Sequence, residues 1–304
     1  DYIIAKLIFI YYGQLKVVVC MVYVLSIGGN ALDSEMKNIK LTINAIKKLH
    51  SRGGLIITHG NGPQVGELAR VEHLSLSILT AQTEAEIGYA IKKEIENNAH
   101  IKTEVFLTEV LVSKKDKAFC NPTKPIGKYY SKSEAYGLSK KGLTLKKFEK
   151  GYRRVVPSPK PIEILNIESM KKLMKGRIMI AGGGGGIPLS KERGKIEFVE
   201  AVIDKDYTTS LIAEKLKAKR MFILTNVDGA YLDYGKKEER LIKDIKADEM
   251  LKYLKEGHFE EGSMKPKVEA CIDFVKKNRG IAAIGNIKKA DKVIKLEECT
   301  VIRP

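Results

Sequence analysis

Glycine-rich turns that follow predicted strands are the features of this chain best suited to chemistry. Three of them contain Gly28, Gly29 and Asn30; Gly60, Asn61 and Gly62; and Gly182 and Gly183. Because glycine has no side chain, its backbone N–H can approach an anion closely, and a helix that starts after the turn adds the positive end of its dipole. The five consecutive glycines at 182–186 are the strongest indication of an anion site. Their backbone freedom costs conformational entropy on folding and they contribute no side chain to the core, so a purely structural role is disfavoured. These turns predict an anion-binding site.

Charged residues at two further turns suit the same anion. Asp204, Lys205 and Asp206 follow an apolar run, and Lys267 stands behind Pro266 at a predicted helix start. A lysine at a helix start opposes the helix dipole, so an anionic ligand is the natural reason to keep it there. The carboxylate beside Lys205 is either half of a plain ion pair or the group that orients the ammonium toward a transferring phosphoryl group. Neither a Walker A loop nor a dinucleotide-binding Gly-x-Gly-x-x-Gly unit fits these turns.

Apolar runs alternate with amphipathic stretches along the chain, which is the pattern of an α/β protein whose parallel sheet is covered by helices on both faces. The predicted strands are 22–27, 55–58, 105–112, 177–181, 221–225 and 281–284. The predicted helices are 36–50, 64–79, 83–97, 167–175, 204–216, 247–256 and 267–278. The interval 114–160 is weakly periodic and rich in Lys, Ser, Gly and Pro, so we expect an inserted lid or small subdomain there.

The composition of the 304 residues narrows the class of protein. With 44% hydrophobic and 30% charged residues, the chain is typical of a globular protein and not of a disordered, collagen-like or disulfide-stapled one. Its four cysteines lie far apart in the sequence and predict free thiols in a reducing compartment, so we expect a cytoplasmic protein. The formal charge of +17 fits a lysine-rich surface or a small anionic substrate better than nucleic acid, because aromatic residues are few and Trp is absent.

Residues 1–20 precede a well-formed strand and glycine turn that begin just after Met21. The apolar stretch at 3–12 is followed by Gly13, Gln14 and Lys16 before it reaches a spanning length, so we expect neither a transmembrane helix nor a secretory signal. We expect 1–20 to be a non-native or upstream extension.

Taken together, these turns resemble the amino acid kinase family, and within it the carbamate kinase branch. The resemblance covers nearly the whole chain from Met21 onward. Its specific segments are Gly-Gly-Asn-Ala-Leu at 28–32, the turn at 58–66, Ala-Gln-Thr-Glu-Ala at 81–85, Asn-Pro-Thr-Lys-Pro-Ile-Gly at 121–127, Arg-Arg-Val-Val-Pro-Ser-Pro at 153–159, and 201–206 and 256–269. The blocks at 121–127 and 153–159 distinguish this branch from acetylglutamate, aspartate and uridylate kinases.

The resemblance implies a three-layer αβα sandwich on a mainly parallel, eight-stranded sheet, with an inserted lid subdomain at 114–160. It implies an N-terminal lobe at 21–200 that binds carbamate or carbamoyl phosphate, and a C-terminal lobe at 201–304 that binds ATP or ADP. Mg²⁺ would arrive with the nucleotide, held mainly by phosphates and waters. The implied reaction is reversible phosphoryl transfer between carbamoyl phosphate and ADP, and the implied assembly is a homodimer without nucleic-acid or membrane partners.

The resemblance also assigns roles to residues by their motif positions. The positive charge of the site comes from Lys124, Lys205 and Lys267, and Asp204 organises these lysines. The substrate and the transferring phosphoryl group are surrounded by Gly28, Gly29, Asn30, Gly60, Asn61 and Gly62. The adenine nucleotide is lined by Val227, Asp228, Tyr234 and Met264.

Four residues depart from the pattern of the carbamate kinase branch. Ser26 and Gly182 each stand where Ala is usual, and we expect both changes to be neutral. Asn226 replaces a common Asp near the phosphates, and Lys265 adds charge and bulk beside Lys267 in the expected nucleotide site. Within the same fold, the alternatives are a kinase of another small carboxylate or phosphonate and a kinase that makes carbamoyl phosphate for biosynthesis. From a different class, the alternatives are a catalytically silent family member and a basic nucleic-acid-binding protein.

Overall fold

The computed structural model describes residues 9–11, 14–16, 21–28 and 37–304. In chain order the strands are β1 (Phe9–Tyr11), β2 (Gln14–Lys16), β3 (Val22–Ile27), β4 (Gly54–His59), β5 (Thr103–Val105), β6 (Glu109–Leu111), β7 (Lys124–Tyr130), β8 (Leu145–Phe148), β9 (Gly151–Val156), β10 (Glu163–Ile164), β11 (Ile178–Ile180), β12 (Ile187–Glu192), β13 (Lys195–Phe198), β14 (Arg220–Thr225), β15 (Tyr231–Leu232), β16 (Arg240–Leu241), β17 (Asp244–Lys246), β18 (Ile281–Asn286) and β19 (Thr300–Arg303). The helices are α1 (Lys37–His50), α2 (Gly62–Val71), α3 (Leu76–Ala99), α4 (Lys132–Lys140), α5 (Ile167–Leu173), α6 (Lys205–Lys215), α7 (Ala247–Lys255), α8 (Met264–Asn278) and α9 (Ala290–Val293).

An eight-stranded sheet forms the centre of the molecule, in the order β17-β19-β18-β14-β3-β4-β11-β5. The strands from β18 to β5 are all parallel to one another, and β19 pairs antiparallel with β18. Side chains alternate between the two faces of a strand. Val24 packs with Ile223 in a core under α6 and α8, whereas Leu25 packs with Phe222 in a core under α1 and α3. The predicted αβα sandwich on a mainly parallel sheet is confirmed.

The segment predicted as a lid contains a small antiparallel sheet of its own, in the order β7-β9-β8, together with α4. A hydrogen bond holds the two ends of this segment together: the Asp116 carboxylate accepts it from the Lys160 backbone N–H at 3.0 Å. A second contact holds β7 against α2, because Ile126 joins the apolar cluster that contains Val65. The boundaries of the lid and of the two lobes stay predictions.

Several predicted elements differ from those observed. The apolar run at 105–112 is two strands, β5 and β6, which belong to different sheets. The chain changes sheet between them, where the Thr108 hydroxyl accepts a hydrogen bond from the Gly182 N–H. The helix predicted at 64–79 is broken after Val71, and Ser75 caps the N-terminus of the long helix α3. The short strands β17 and β19 at the edge of the sheet were not predicted.

Most of the segment 1–20 lies outside the described residues, apart from the pairing of β1 with β2. None of the described helices is both long and apolar enough to cross a membrane. Cys120, Cys271 and Cys299 are free thiols, as expected, and Cys20 lies outside the described residues.

The contact between α2 and β7 leads to a test of how the lid is held. A Cβ atom on Gly66 would lie 1.9 Å from the backbone nitrogen of Gly127, so the two backbones can approach only because this residue has no side chain. Gly66→Ala is expected to lower the free energy of unfolding by about 1–3 kcal/mol, the usual cost of overpacking. Urea denaturation measures the change.

Gly137→Ala is the matched control, since Gly137 lies in α4 of the same segment and an added Cβ would meet no atom within 4 Å. Alanine there is expected to stabilise the protein by about 0.5–1 kcal/mol through helix propensity. Equal stability of the Gly66→Ala variant and the parent protein would contradict the proposed tight contact.

Candidate active site

A cavity of about 370 Å³ opens at the carboxyl ends of the parallel strands β3, β4 and β14. In open α/β sheets this edge is where ligands bind, because loops and helix N-termini converge there. Residues from all five glycine-rich or charged turns, and from the lid segment, line it. They include Gly28, Gly60, Asn61, Gly62, Lys124, Arg153, Gly184, Asp204, Lys205, Asp206, Asn226, Val227, Tyr231, Tyr234, Phe259, Met264 and Lys267.

The Asp206 carboxylate joins two lysines in the floor of this cavity. Lys205 Nζ donates to Asp206 Oδ1 at 2.5 Å, and Lys267 Nζ donates to Asp206 Oδ2 at 3.0 Å. Burial disfavours the ionised carboxylate, but the attraction of the two ammonium groups outweighs burial and holds the pKa of Asp206 well below its usual range. One negative charge thus keeps two positive charges side by side.

The two lysines differ in their surroundings. Lys205 is the first residue of α6 and is 8% exposed, and its burial lowers the pKa of its ammonium group despite the attraction of Asp206. Burial acts in the same direction on Lys267, but there the attraction of Asp206 and Asp204 prevails and raises the pKa. Lys205 is therefore the more sensitive of the two to the loss of a partner.

Asp204 contacts one of the three lysines that the resemblance assigned to it, Lys124. Its carboxylate caps α6 by accepting a hydrogen bond from the Asp206 N–H at 3.0 Å, and its other oxygen accepts from Lys124 of β7. Because the capping bond turns Asp204 toward the helix terminus and the lid, the residue that organises Lys205 and Lys267 is Asp206. The sequence pattern leaves open which carboxylate beside Lys205 binds its ammonium group, and in the structure it is Asp206.

The first two glycine turns lie at the cavity, as far as the structure describes them. Gly28 lines the cavity, although its N–H donates to the Leu224 carbonyl at 3.1 Å, and Gly29 and Asn30 lie outside the described residues. Gly60, Asn61 and Gly62 all line the cavity, with Gly62 at the first position of α2, where helix N–H groups lack an intrahelical partner. The α2 terminus is thus available to an anion.

The five-glycine turn faces mostly into the protein. Gly182 donates its N–H to the Thr108 hydroxyl at 2.7 Å, and Gly183 donates its N–H to Glu84 Oε1 at 2.9 Å. Gly184, which has φ +63°, is the member of the run that lines the cavity. A Cβ there would lie 2.1 Å from Asn61 Cγ. The geometry therefore disagrees with the expected phosphate-binding role of Gly182 and Gly183, whose N–H groups have internal partners.

Two buried titratable groups lie behind this turn. Glu84 on α3 accepts hydrogen bonds from Gly183 and from the Thr108 N–H, and burial raises its pKa to about 8. Burial lowers the pKa of His59 to about 4, so its ring is neutral at pH 7, and Nδ1 donates to the Gly60 carbonyl at 3.1 Å. Both residues position glycine turns without reaching the cavity. Glu84 belongs to the segment 81–85 that carries the family resemblance, but the resemblance gave Glu84 no role.

Of the four residues predicted to bind the adenine nucleotide, three line the cavity. Val227, Tyr234 and Met264 line it, but Asp228 does not, because its carboxylate binds Lys289 at 2.9 Å and Asn286 at 3.0 Å outside the cavity. Lys265 is also not among the cavity residues, since its ammonium pairs with Glu261. The charge and bulk that Lys265 was expected to add therefore lie outside the cavity lining, whereas Asn226 does line the cavity.

Arg153, on β9 of the lid segment, is a cavity residue that received no role from the sequence. Its Nη2 donates to the Gly127 carbonyl at 2.7 Å, and its guanidinium lies over the Tyr129 ring at 5.3 Å. With Lys124, Lys205 and Lys267 it makes four cations around one cavity. Such a set neutralises the oxygens of a phosphoryl group, and glycine amides complete the surroundings.

The chain matches the model of the amino acid kinase family over residues 21–286, and it belongs to that family. It is similar to proteins named carbamate kinase: 39% identical over 301 residues to that of Thermoplasma volcanium, covering 92% of this chain and 99% of the relative. Carbamate kinase 2 of Staphylococcus epidermidis is 41% identical over 278 residues, covering 84% of this chain and 90% of that one. The structure of the Giardia lamblia carbamate kinase bound to AMP-PNP superimposes with a TM-score of 0.82 and 34% identity, covering 93% and 98% of the two chains.

The raised pKa of Glu84 predicts a pH dependence of stability. Between its ordinary pKa of 4.5 and about 8, the folded protein keeps a proton that the unfolded chain has released. This group therefore lowers the free energy of unfolding as pH rises through the window, by about 1.4 kcal/mol per pH unit. Glu84→Gln has no such proton, so its stability relative to the parent protein is expected to rise from pH 4.5 to about 8 and stay constant above.

Urea denaturation of both proteins from pH 5 to pH 9 measures this difference. The lowered pKa of His59 adds a slope of opposite sign between about 4 and 6.5, but both proteins contain it and it cancels in the comparison. Glu86→Gln is the control, since Glu86 lies exposed on the same helix. A constant difference between the Glu84→Gln variant and the parent protein over the whole range would show that Glu84 is ionised in the folded state.

Proposed function

We propose that the chain catalyses reversible phosphoryl transfer between carbamoyl phosphate and ADP, which gives ATP and carbamate. The observation that carries this proposal is the pair of lysines held by Asp206 at the floor of a cavity lined by glycine turns and helix N-termini. The names of the similar proteins and the AMP-PNP bound to the Giardia lamblia enzyme support the choice of substrates. Carbamate then decomposes to ammonia and carbon dioxide.

Phosphoryl transfer of this kind requires alignment and charge neutralisation more than a covalent nucleophile. In the forward direction an ADP oxygen attacks the phosphorus of carbamoyl phosphate in line with the departing carbamate oxygen. Lys205 and Lys267 lie where they would neutralise the oxygens of the phosphoryl group during transfer. Asp206 keeps the two ammonium groups oriented, so that no reorganisation is needed when charge develops.

The lining residues fall into two chemical groups. Gly60, Asn61, Gly62 and the lid residues Lys124 and Arg153 are small, polar or cationic, and we assign them to carbamate and carbamoyl phosphate. Val227, Tyr231, Tyr234, Phe259 and Met264 are aromatic or apolar, and we assign them to the adenine nucleotide. The ion pair between Lys124 and Asp204 joins the lid to α6, so lid closure would exclude water from a labile mixed anhydride.

Mg²⁺ fits this site as a companion of the nucleotide. The described part of the chain holds no group of three His, Cys, Asp or Glu side chains suited to a metal, and both Asp204 and Asp206 are already paired with lysines. When bound with the nucleotide, the ion would supply positive charge that neutralises the phosphates. Residues of this chain would then act on the phosphates and not as a metal cage.

We also propose that the protein is a cytoplasmic homodimer that forms ATP at the end of a carbamoyl-yielding degradation. These statements rest on the family resemblance and on the free thiols. Sedimentation equilibrium tests the assembly, and a single species of monomer mass at micromolar concentration would overturn it.

The function is tested by ATP formation from ADP and carbamoyl phosphate with Mg²⁺. Lys205→Ala and Lys267→Ala are each expected to lower kcat by about 100- to 1000-fold, because each removes a donor aimed at the transferring group. Lys265→Ala is the matched control: the residue is two positions from Lys267 on α8 but pairs with Glu261 away from the cavity, so the rate is expected to stay within about twofold.

Substrate choice is tested in the same assay with ATP and acetate or a small phosphonate as the acceptor. If the protein turns over one of these acceptors but neither carbamate nor carbamoyl phosphate, that acceptor is its substrate and the proposed carbamate kinase reaction is wrong. Wild-type turnover that survives in both cavity variants would reject the assigned site while leaving the reaction intact.

A further inference from the structure

A serine hydroxyl is buried at the end of the central strand β3, directly beside the two key charges of the site. Ser26 is 0% exposed and lies between Leu25 and Ile27, both of which are core residues. Burying a hydroxyl costs free energy unless hydrogen bonds replace those to water. Ser26 Oγ accepts a hydrogen bond from Lys205 Nζ at 2.6 Å and donates one to Asp206 Oδ1 at 3.3 Å. The hydroxyl therefore closes a triangle with the lysine and the carboxylate.

The hydrogen-bond capacity of the ammonium group shows what this triangle achieves. Lys205 Nζ carries three protons. Among the described residues, Ser26 and Asp206 accept two of them, and the side chain lines the cavity. The third N–H has no acceptor in the part of the chain that the structure describes, and we assign it to a ligand. With two acceptors from two different elements, β3 and α6, the ammonium cannot rotate freely about its last bond.

We propose that Ser26 is a positioning residue for phosphoryl transfer, whose hydroxyl orients the Lys205 ammonium so that its remaining N–H faces the transferring phosphoryl group. The inference rests on the proposed function and goes beyond it by giving a role to a residue that the sequence predicted to be neutral. Ser26 itself does not line the cavity.

The hydroxyl also affects the charge of Lys205. Among the described residues, the charged or titratable groups that face this lysine are Asp204 and Asp206 at the start of α6, Lys267 and the Cys271 thiol on α8, and His59 at the end of β4. A hydrogen-bond acceptor favours the charged form of an ammonium group, and burial favours the neutral form. Removal of the hydroxyl therefore lowers the pKa of Lys205 further and releases its orientation.

The test compares Ser26→Ala with Thr58→Val. Thr58 is the residue paired with Ser26 across β3 and β4, and its hydroxyl is also buried and bonded to α6, at 2.7 Å from the Thr209 hydroxyl. Thr58→Val thus removes a buried hydroxyl from the same layer without touching the Lys205 ammonium. Both variants are first compared by urea denaturation, so that loss of stability is separated from loss of function.

Two measurements then distinguish positioning from a merely structural role. The first is kcat and KM for ADP and carbamoyl phosphate between pH 6 and pH 10. Ser26→Ala is expected to lower kcat by about 10-fold, with KM for ADP nearly unchanged and the loss of rate at high pH beginning at lower pH. Thr58→Val is expected to keep the kcat and the pH profile of the parent protein.

The second measurement is the pKa of Lys205 itself, taken from the 13Cε shift in lysine-labelled protein without substrate and assigned with Lys205→Ala. Ser26→Ala is expected to lower this pKa, and Thr58→Val is expected to leave it unchanged. An unchanged pKa, or an unchanged kcat in a folded Ser26→Ala protein, would overturn the inference. Equal losses of kcat in both variants would also overturn it. Wild-type protein without carbamoyl phosphate turnover would instead reject the proposed function, while the titration would still test the contact.

Discussion

The site depends on one buried carboxylate that is shared by two ammonium groups. Two lysines that converge on a single cavity repel each other, and burial adds to the cost of keeping both charged. Asp206 compensates both with one oxygen each, and Ser26 adds an uncharged partner on the side of the central strand. The surrounding structure serves to bring these groups together, since β3 supplies Ser26, α6 supplies Lys205 and Asp206, and α8 supplies Lys267.

The parallel sheet makes this convergence possible. Parallel strands end at the same edge, where the turns and the positive ends of the helices that follow them converge on one space. At that edge the two turns lie very close, as at Gly184, where even a methyl group would collide with the Asn61 side chain. Glu84 and Thr108 hold the inner side of this turn by their hydrogen bonds to Gly183 and Gly182. The absence of a side chain at Gly184 thus allows this close approach.

The sequence predicted the central strands well because they are buried on both faces and therefore appear as continuous apolar runs. For the same reason the sequence predicted one strand where the structure has two, β5 and β6, because the apolar run continues where the chain passes from one sheet to the other. Asp204 and Asp206 flank Lys205 symmetrically in the sequence, so only the capping geometry of α6 could decide which of them organises the lysines. The sequence could not reveal a role for Ser26, because its hydrogen-bond partners lie about 180 residues away along the chain.

The tie between Asp116 and Lys160 brings together two points that are 44 residues apart in sequence, so the chain enters and leaves the lid segment at nearly the same place. A segment with adjoining ends can be lengthened, shortened or exchanged at little cost to the sheet that carries it, because the entropy of closing a loop grows only slowly with loop length. This segment is therefore a part of the molecule whose length and sequence can change independently of the central sheet. Substitutions in this segment would leave the positions of the lysines and glycine turns at the end of the sheet unchanged.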